Sequence, residues 1–347
     1  MIVLLTGGTG YLGGRVAAAL TAAGHEVWCL CRPGRESASP AGARPVRGDV
    51  LDEGSVAAAL RGCDALVHMA AMVKRWAPDR SEFDRVNVGG TESVLRAAAA
   101  AGVARILYTS SIVALGPTTG GMADEDRAPD RGEGCTDYER TKRRSLEAAR
   151  RLAALGLPIV IVYPGIVYGP GAATEGNLLR PMLTDHLRGR LRARLGRGDR
   201  RICYAFVDDV ARGHVLALER GVPGRGYILG GENATQDDLF AVLRDLTGRP
   251  APRVAVPYWV AGLAAAAQVL RARVTGRIPD VTPGIVATFR HEWAYRSDRA
   301  MREIGYTITP LGDGMRRTLE GLGFFAAPGA APGAAAGAPG APGDVTS

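Results

Sequence analysis

The amino-acid sequence predicts an α/β protein in which a doubly wound parallel sheet is joined to a smaller C-terminal domain that binds substrate. Two observations lead to this prediction. Short apolar runs alternate with helical patterns through the first half of the chain, and a glycine-rich turn follows the first run. Strands that alternate with helices are typical of a parallel sheet covered on both faces, and the glycine turn is typical of its dinucleotide-binding (Rossmann) form.

The elements of the first half follow from apolar runs and helical spacing. Residues Ile2 to Thr6 form a continuous apolar run, and Tyr11 to Ala23 carry helical spacing that stops at Gly24. Further strands are predicted at 26–31, 44–47, 65–68, 105–109 and 158–163, and further helices at 52–61, 83–101 and 138–155. We therefore place the dinucleotide-binding domain at residues 1–168, with later segments returning to it.

The second part of the chain is less regular. After Gly169 the segments are broken by arginine, proline and glycine, and helices such as the one at 236–247 are separated by loops. We interpret residues 169–322 as mainly the substrate-binding domain. Residues 326–347 are Ala-Pro-Gly repeats without apolar periodicity, which predicts a disordered tail.

One apolar stretch stands out in this part. It runs from Val254 to Leu270, is interrupted by Pro257, and is followed by Arg271 and Arg273. A helix that crosses a membrane needs about 20 consecutive apolar residues, so we expect no integral membrane segment. We interpret the stretch as a buried or dimer-facing helix, with a helix resting on a membrane surface as the alternative.

The charge of the chain comes almost entirely from arginine. The 347 residues include 43 Lys and Arg against 35 Asp and Glu, a net charge of +8, and 46% are hydrophobic. Lysine occurs only at Lys74 and Lys142, so 43 − 2 = 41 of the basic residues are arginine. We interpret the bias as a coding preference. The one local concentration, Arg188 to Arg201, is interpreted as a solvated face, with an anionic substrate or partner as the alternative.

Several functional classes are excluded by what the sequence lacks. No aromatic residues are interleaved with the arginine run to stack on bases, so we expect no nucleic-acid partner. The five cysteines form no CxxC pair and no two histidines are spaced i,i+4, so we expect no metal site. The sequence starts without a basic segment typical of signal peptides, and we expect a cytoplasmic protein with reduced thiols.

The glycine-rich turn indicates a dinucleotide site. Gly7, Gly10 and Gly13 lie between the first predicted strand and helix at the spacing GxxGxxG. In such a turn the first glycine permits the tight bend, the second lets backbone approach a pyrophosphate, and the third lets helix and strand pack closely. The phosphates would then lie at the helix N-terminus, which favours anions. Thr9, Tyr11 and Leu12 belong to the same predicted cofactor-binding turn.

The end of the second strand favours NADP(H) over NAD(H). An acidic residue about 20 positions beyond the glycine turn would bind the ribose 2′-hydroxyl, whereas an arginine accommodates a 2′-phosphate. Here the strand ends in Leu30-Cys31-Arg32, and Arg35 follows. We expect Arg32 to bind the 2′-phosphate; its presence through arginine bias alone is the alternative.

Tyr138 and Lys142 are the predicted catalytic pair. They are spaced i,i+4 and therefore share one helix face. A phenol with a pKa near 10 is a poor acid–base catalyst at neutral pH, and a neighbouring ammonium favours the phenolate. A chain that otherwise uses arginine has lysine here, which favours a chemical reason for Lys142 over a surface pair.

A hydroxyl at the end of a strand completes the candidate site. Thr109-Ser110-Ser111 follows the predicted strand at 105–109, at the sheet edge where α/β proteins bind ligands. A serine there could hydrogen-bond a substrate carbonyl or hydroxyl beside Tyr138. A turn residue without such a role is the alternative.

These motifs resemble the extended short-chain dehydrogenase/reductase family, also called the NAD-dependent epimerase/dehydratase family. The resemblance covers about residues 1–322 and rests on the following segments: Thr6–Gly13, Gly48–Val50, Val67–Ala71, Asn87, Tyr108–Ser111, Tyr138 with Lys142, Pro164–Pro170 and Phe206–Val210. Within the family, the chain is similar to dihydroflavonol 4-reductase-like and 3β-hydroxysteroid dehydrogenase-like reductases and to the hopanoid-associated sugar epimerase group. The resemblance also implies a homodimer formed through helices like those at 83–101 and 136–155.

The family assigns roles to individual residues of this sequence. It implies Tyr138 as acid–base, Lys142 as its partner and ribose ligand, and Ser111, five residues before Gly116, as the substrate-orienting hydroxyl. It implies contacts with the adenine by Asp49 and Val50, and contacts along the cofactor by Ala70, Ala71 and Asn87. The segment near the nicotinamide would consist of Pro164, Gly165, Ile166 and Val167.

Three departures from the family narrow the expected reaction. Ser111-Ile112-Val113 replaces the Thr-Asp-Glu of 4,6-dehydratases, Ile166 replaces an asparagine common in nucleotide-sugar enzymes, and Arg32 replaces the aspartate of NAD-retaining epimerases. We therefore expect a dissociable NADP(H) and a small, less polar substrate. The leading hypothesis is a carbonyl reductase or alcohol dehydrogenase; the alternatives are a sugar or nucleotide-sugar epimerase with tightly bound cofactor, and a regulatory protein without catalysis.

Overall fold

The computed structural model describes residues 1–127, 132, 134–171 and 174–325. The tail predicted at 326–347 lies outside these residues. The described chain contains twelve strands: β1 (Ile2–Thr6), β2 (Glu26–Cys31), β3 (Arg44–Arg47), β4 (Ala65–His68), β5 (Arg105–Thr109), β6 (Ile159–Pro164), β7 (Ile166–Tyr168), β8 (Ala193–Leu195), β9 (Ile202–Phe206), β10 (Gly226–Leu229), β11 (Glu232–Ala234) and β12 (Val254–Val256).

Seven of these strands form one parallel sheet in the order β10-β6-β5-β4-β1-β2-β3. The chain builds outward from β1 to β3, then returns to β4 and builds in the other direction, so the order reverses between β1 and β4. This reversal is the point at which open α/β sheets bind ligands beyond the carboxyl ends of their strands. The predicted doubly wound parallel sheet is confirmed.

Helices cover both faces of the sheet. The described helices are α1 (Tyr11–Ala22), α2 (Glu53–Leu60), α3 (Ser81–Phe83), α4 (Gly90–Ala100), α5 (Ile112–Leu115), α6 (Asp137–Ala154), α7 (Leu179–Leu187), α8 (Val207–Arg220), α9 (Gln236–Thr247), α10 (Tyr258–Thr275), α11 (Pro283–Thr288), α12 (Asp298–Ile304) and α13 (Leu311–Gly321). Helices α1 and α8 pack on one face, and α2, α4 and α6 on the other. Alternate residues of β1 serve the two cores, since Val3 and Leu5 face α1 while Leu4 faces α2 and α4.

The second half of the chain is only partly separate from this sheet. Strand β10 pairs with β6 and so belongs to the large sheet, whereas two small sheets, β11-β9-β7 and β12-β8, lie outside it. A third core forms around Tyr168, Phe206, Phe240 and Met315. The division at residue 168 stays a prediction.

The predicted helix at 83–101 differs from the structure in its first turns. The helical segment begins earlier, at Ser81, and the six residues Asp84–Gly89 form a π-helical turn before the regular helix α4. The wider π-turn contains the buried Asn87, whose side chain bonds to two other parts of the chain. Such turns are rare and lack a sequence signature, and they occur mainly at functional sites.

The prediction of a buried helix within 254–270 is wrong. Strand β12 and helix α10 occupy this region, and α10 lies on the surface with Trp259 71% and Leu263 66% exposed. An apolar stretch of this kind predicts burial, but only Ala265 and Ala272 of the helix are buried. A dimer-facing role stays a prediction. No helix among the described residues is long and apolar enough to span a bilayer.

Candidate active site

The carboxyl edge of the large sheet gathers most of the predicted site residues. Because its strands are parallel, the segments that follow them emerge side by side. Gly7 follows β1, Arg32 follows β2, Ala70 and Ala71 follow β4, and Ser111 follows β5. Residues that are far apart in the sequence are thereby brought to one surface on either side of the reversal in strand order.

The glycine turn is too tightly packed to accept side chains. Gly7 has φ +76°, and a Cβ atom there would lie 2.7 Å from the backbone nitrogen of Ala70. A Cβ on Gly13 would clash with the carbonyl oxygen of Gly7. Helix α1 begins after Gly10, and no side chain caps its first amide groups. The turn therefore presents backbone N–H groups and the positive end of the helix dipole to an anion.

The two glycines at the start of α1 provide a matched test of this packing. Gly13→Ala is expected to lower stability by about 1–3 kcal/mol, because the new methyl group must displace backbone, and to weaken dinucleotide binding. Gly14→Ala is the control, since its Cβ would meet only the carbonyl oxygen of Gly8 at 3.8 Å. Thermal denaturation and a cofactor fluorescence titration measure both effects. Equal behaviour of the two variants would contradict the proposed packing.

Tyr11 connects the glycine turn to the segment that follows β6. Its hydroxyl donates to the carbonyl oxygen of Gly169 at 3.0 Å, and its ring packs where a Cβ on Gly171 would lie. Burial raises the pKa of Tyr11 well above its usual value. Gly169 and Gly171 therefore lie beside the start of α1, while the contact of Pro164–Val167 with the nicotinamide stays a prediction.

The segment Pro164–Val167 is held closely by β10 of the large sheet and by β9 of the small sheet β11-β9-β7. The amide of Gly165 donates to Leu229 at 3.1 Å, and a Cβ there would lie 2.7 Å from the carbonyl oxygen of Cys203. Pro164 and Gly165 are buried, whereas Ile166 and Val167 are partly exposed. The last two can therefore contact a ligand.

The predicted adenine end lies at the carboxyl ends of β2 and β3. Strand β2 pairs with β3, and the amide of Gly48 donates to Cys31 at 2.9 Å, which brings Asp49 close to Arg32 in the sheet. Arg32 is exposed. The Asp49 carboxylate accepts from the amide of Leu51 at 3.0 Å, and Val50 packs against Gly90.

Asn87 is a structural link between the cofactor side and the catalytic helix. Its side chain accepts from the amide of Met72 at 2.6 Å and donates to the hydroxyl of Thr141 at 2.9 Å. Met72 follows Ala71, and Thr141 precedes Lys142. The contacts of Asn87 thus hold these two segments together; a direct contact with the cofactor stays a prediction.

Tyr138 and Ser111 meet at the start of helix α6. The Ser111 side chain lies beside the Tyr138 hydroxyl and lowers its pKa, but burial has the larger effect and raises the pKa of Tyr138 to about 12. Ser111 also caps α5, where its hydroxyl accepts from the amide of Val113 at 3.4 Å. The contact between the two hydroxyl groups distinguishes Ser111 from its neighbour Ser110. A phenol in this state is protonated at neutral pH and can donate a hydrogen bond or a proton.

Lys142 lies buried on the same helix face, one turn beyond Tyr138. Its ammonium donates to the carbonyl oxygen of Thr109 at 2.8 Å and lies 5.5 Å from the ring centroid of Tyr108. Burial lowers the pKa of Lys142 to about 8, and no acidic side chain pairs with it among the described residues. The site therefore contains a buried cation that is held by a backbone carbonyl, without a compensating carboxylate.

Two buried histidines support this region and were not predicted. His214 faces the carbonyl oxygen of Val210 with Nδ1 at 2.7 Å, so the proton lies on Nδ1 and Nε2 accepts from the Thr109 hydroxyl at 3.1 Å. Burial lowers the pKa of His214 to about 4, which keeps it neutral. His68 lies between Thr6 and Thr91, and burial together with Lys142 lowers its pKa to about 3. Both histidines therefore support the strand ends as neutral hydrogen-bonding groups.

The residues of this edge fit a dinucleotide. The glycine turn leaves a cradle that a Cβ would fill, and uncapped amide groups point out of α1. The exposed, positively charged Arg32 lies at one end of this sheet edge, and the hydroxyl groups of Ser111 and Tyr138 lie towards the other end. No group of three metal-ligating side chains is found among the residues that the structure describes.

Comparison with known proteins agrees with this geometry. The family model "NAD dependent epimerase/dehydratase family" matches residues 3–230. Sterol demethylase protein B of Methylococcus capsulatus is 36% identical over 260 residues, 74% of this chain and 78% of the relative. The 2-alkyl-3-oxoalkanoate reductase of Stenotrophomonas maltophilia is 32% identical over 263 residues, 72% and 77% of the two chains. The crystal structure of gox2253 is 33% identical with a TM-score of 0.78 and covers 93% of this chain and 98% of its own.

Proposed function

Because the chain belongs to the NAD-dependent epimerase/dehydratase family, we propose that it is an NADP(H)-dependent oxidoreductase that acts on a substrate carbonyl or secondary alcohol. The observation that carries this proposal is that Tyr138 and the buried Lys142 lie one turn apart on helix α6, with Ser111 beside Tyr138. When bound, the nicotinamide supplies or accepts a hydride at the substrate carbon. The glycine turn, Arg32, Asp49, Val50, Ala70 and Ala71 would hold the cofactor.

The three polar residues have separate tasks. Ser111 donates a hydrogen bond to the substrate oxygen and so polarises the carbonyl. Tyr138 gives its phenolic proton to that oxygen during reduction and takes it back during oxidation. The pKa of about 12 in the protein alone matches the donor role, because the phenol is fully protonated at neutral pH.

Lys142 stabilises the phenolate that remains after proton transfer. It is buried one helical turn from Tyr138 and carries a positive charge below its pKa of about 8. In a water-poor site an ammonium favours a nearby anion more strongly than at the surface. Thr109 holds the ammonium through its carbonyl oxygen, and His214 holds the side chain of Thr109.

The surroundings of the site favour an apolar substrate. Ile112 and Val113, which follow Ser111, are buried apolar residues, and Ile166 and Val167, in the segment predicted near the nicotinamide, are partly exposed apolar side chains. The names of two relatives, a sterol demethylase protein and a 2-alkyl-3-oxoalkanoate reductase, also refer to molecules with large apolar parts. We propose a ketone or secondary alcohol with an apolar body as the substrate class.

A steady-state screen tests the reaction. NADPH consumption is measured with a panel of apolar ketones and aldehydes, and product alcohols are identified by mass spectrometry. Turnover with at least one carbonyl compound, lost in Tyr138→Phe, supports the proposal. A lack of net NADPH oxidation with every compound, together with cofactor that survives purification, would favour an epimerase.

Arg32 is expected to set the preference for NADPH. Arg32→Ala should weaken NADPH binding about 10–100-fold, because a charge-assisted bond to the 2′-phosphate is lost. NADH lacks that phosphate, so its affinity is the internal control and should stay within about twofold. Fluorescence titration measures both constants. A wild-type protein that binds NADH more tightly than NADPH would refute the role of Arg32.

A sugar or nucleotide-sugar epimerase is the second candidate. Its substrate is oxidised and reduced at one carbon without net use of cofactor, and the Arg188–Arg201 run could bind its pyrophosphate. Five arginines of this run already pair with acidic side chains: Arg190 with Asp185, Arg194 with Asp237, Arg197 and Arg200 with Asp199, and Arg201 with Glu292. These ion pairs weaken the case for a diphosphate at the run and support the reductase as the leading proposal.

A further inference from the structure

Helix α10 carries an apolar surface that nothing in the described chain covers. The helix packs on the protein through small side chains, of which Ala265 and Ala272 are buried. The opposite side bears an outward stripe of Trp259, Leu263, Ala266, Leu270 and Val274, spaced so that all five lie on one face. Its four large side chains are 65–81% exposed. Contiguous exposed apolar surface of this kind marks an interaction site.

The charge around the outward stripe has only one sign. Between Asp245 and Asp280 the sequence contains no acidic residue. The same segment contains five arginines: Arg249, Arg253, Arg271, Arg273 and Arg277. None of the five forms an ion pair with another described residue. Arg271 follows Leu270 and Arg273 precedes Val274, so the two guanidinium groups flank the stripe on opposite sides.

A second copy of the chain is a poor partner for this surface. In a symmetric dimer the same patch would meet itself. A parallel arrangement would place Arg271 and Arg273 against their own copies, and an antiparallel one would place them against the uncharged first turns of α10. The arginines would repel in the parallel arrangement, and neither arrangement supplies an acidic partner for them from this segment.

An anionic lipid surface can bind both the outward stripe and the arginines that flank it. Apolar side chains with a tryptophan enter the boundary between headgroups and acyl chains, and arginines at its rim attract anionic lipids. We propose that α10 rests in the plane of an anionic bilayer surface, with the outward stripe facing the lipid and Arg271, Arg273 and Arg277 contacting lipid phosphates.

Helix α10 is connected by hydrogen bonds to segments near the candidate site. Gln268 of α10 accepts from the amide of Asp280 at 2.9 Å, and the carbonyl oxygen of Asp280 accepts from Arg75, shortly after Ala71, at 2.9 Å. Helix α11 follows, and its Thr288 hydroxyl bonds to Glu139, next to Tyr138. The docking surface and the candidate site therefore share connected segments, and an apolar substrate could reach the site from the lipid.

Vesicle flotation with the full-length protein tests the docking. The protein should float with vesicles of phosphatidylcholine and phosphatidylglycerol, bind vesicles of phosphatidylcholine alone at least about tenfold more weakly, and dissociate as salt is raised. Leu263→Ser with Leu270→Ser should abolish flotation, and Arg271→Gln with Arg273→Gln should weaken it at least about tenfold. Leu155→Ser is the control, because Leu155 is 74% exposed at the far end of α6.

Trp259 reports the contact directly. It is 71% exposed, so its emission should shift to shorter wavelength when vesicles are added, and Trp259→Phe should bind but lose the shift. Failure of the wild type to float would overturn the proposal, as would a concentration-dependent dimer that the Leu263 and Leu270 substitutions dissociate. These measurements need no substrate or cofactor, so the docking proposal and the proposed reaction can fail separately.

Discussion

Tyr138→Phe is expected to reduce kcat for carbonyl reduction by about a thousandfold while leaving NADPH binding within about twofold. The substitution removes only the hydroxyl group, which lies beside Ser111. Without it, the proton must come from water, and the contribution of a positioned general acid is lost. The expected loss is therefore in kcat, with little change in the affinity for cofactor.

The fold should tolerate this substitution. The ring of Tyr138 packs against Phe83 and Met72, and phenylalanine keeps these contacts. Tyr163→Phe is the matched control, since Tyr163 is a buried tyrosine whose hydroxyl accepts from Arg150 away from the candidate site. It should retain nearly full kcat. Turnover of Tyr138→Phe within about tenfold of the wild type would refute the proton-donor role.

Local spacing in the sequence predicts the position of the glycine turn and the shared helix face of Tyr138 and Lys142, whose catalytic roles stay predictions. The glycine turn can be recognised because its glycines recur at a fixed local spacing, and Gly13 must be small because it packs on the carbonyl group of Gly7. Tyr138 and Lys142 can be recognised because helix geometry fixes their common face. The alternation of strands and helices likewise predicts the sheet, because its central strands are buried on both faces.

The features that were missed depend on contacts between distant segments. The group that holds Lys142 is the backbone carbonyl of Thr109, and every residue type carries such a group, so the sequence gives no sign of it. The π-turn at Asn87 depends on bonds to Met72 and Thr141. Apolar spacing predicts that a helix face is covered, but it does not indicate whether the same chain covers it. The exposure of α10 therefore could not be predicted.

The buried lysine gives the second large expected effect, in which activity and stability change in opposite directions. Lys142→Met should reduce kcat at least about a hundredfold, because the phenolate of Tyr138 loses its nearby cation. Lys142→Arg should also be impaired, since a planar guanidinium does not fit the compact position that the ammonium occupies beside Thr109 and Tyr108.

The same Lys142→Met protein is expected to be more stable than the wild type by about 2 kcal/mol at neutral pH. Burial lowers the pKa of Lys142 from 10.5 to about 8, which corresponds to about 3 kcal/mol of destabilisation by the buried charge. Methionine removes that charge at similar size, and loss of the bond to Thr109 offsets about 1 kcal/mol of the gain. Denaturant unfolding of the cofactor-free protein measures the difference.

The pH dependence of this gain follows from the two protonation states. Below pH 8 the lysine is charged in both the folded and the unfolded wild type, so the folded state carries the full cost of burial. Between pH 8 and 10.5 the folded state releases the proton while the unfolded chain keeps it, so the cost decreases as pH rises. The stability advantage of Lys142→Met should therefore be greatest below pH 8 and disappear towards pH 10.5.

Lys74→Met is the natural control, because Lys74 is the other lysine of the chain and is exposed. It should change stability by less than about 0.5 kcal/mol at any pH, as expected for a surface substitution. If Lys142→Met were less stable than the wild type at pH 7, the ammonium would contribute more through its bond to Thr109 than its burial costs. If Lys142→Met is instead more stable, the wild type retains a lysine at a cost in stability in a chain that otherwise uses arginine. The proposed role of Lys142 beside Tyr138 best explains that cost.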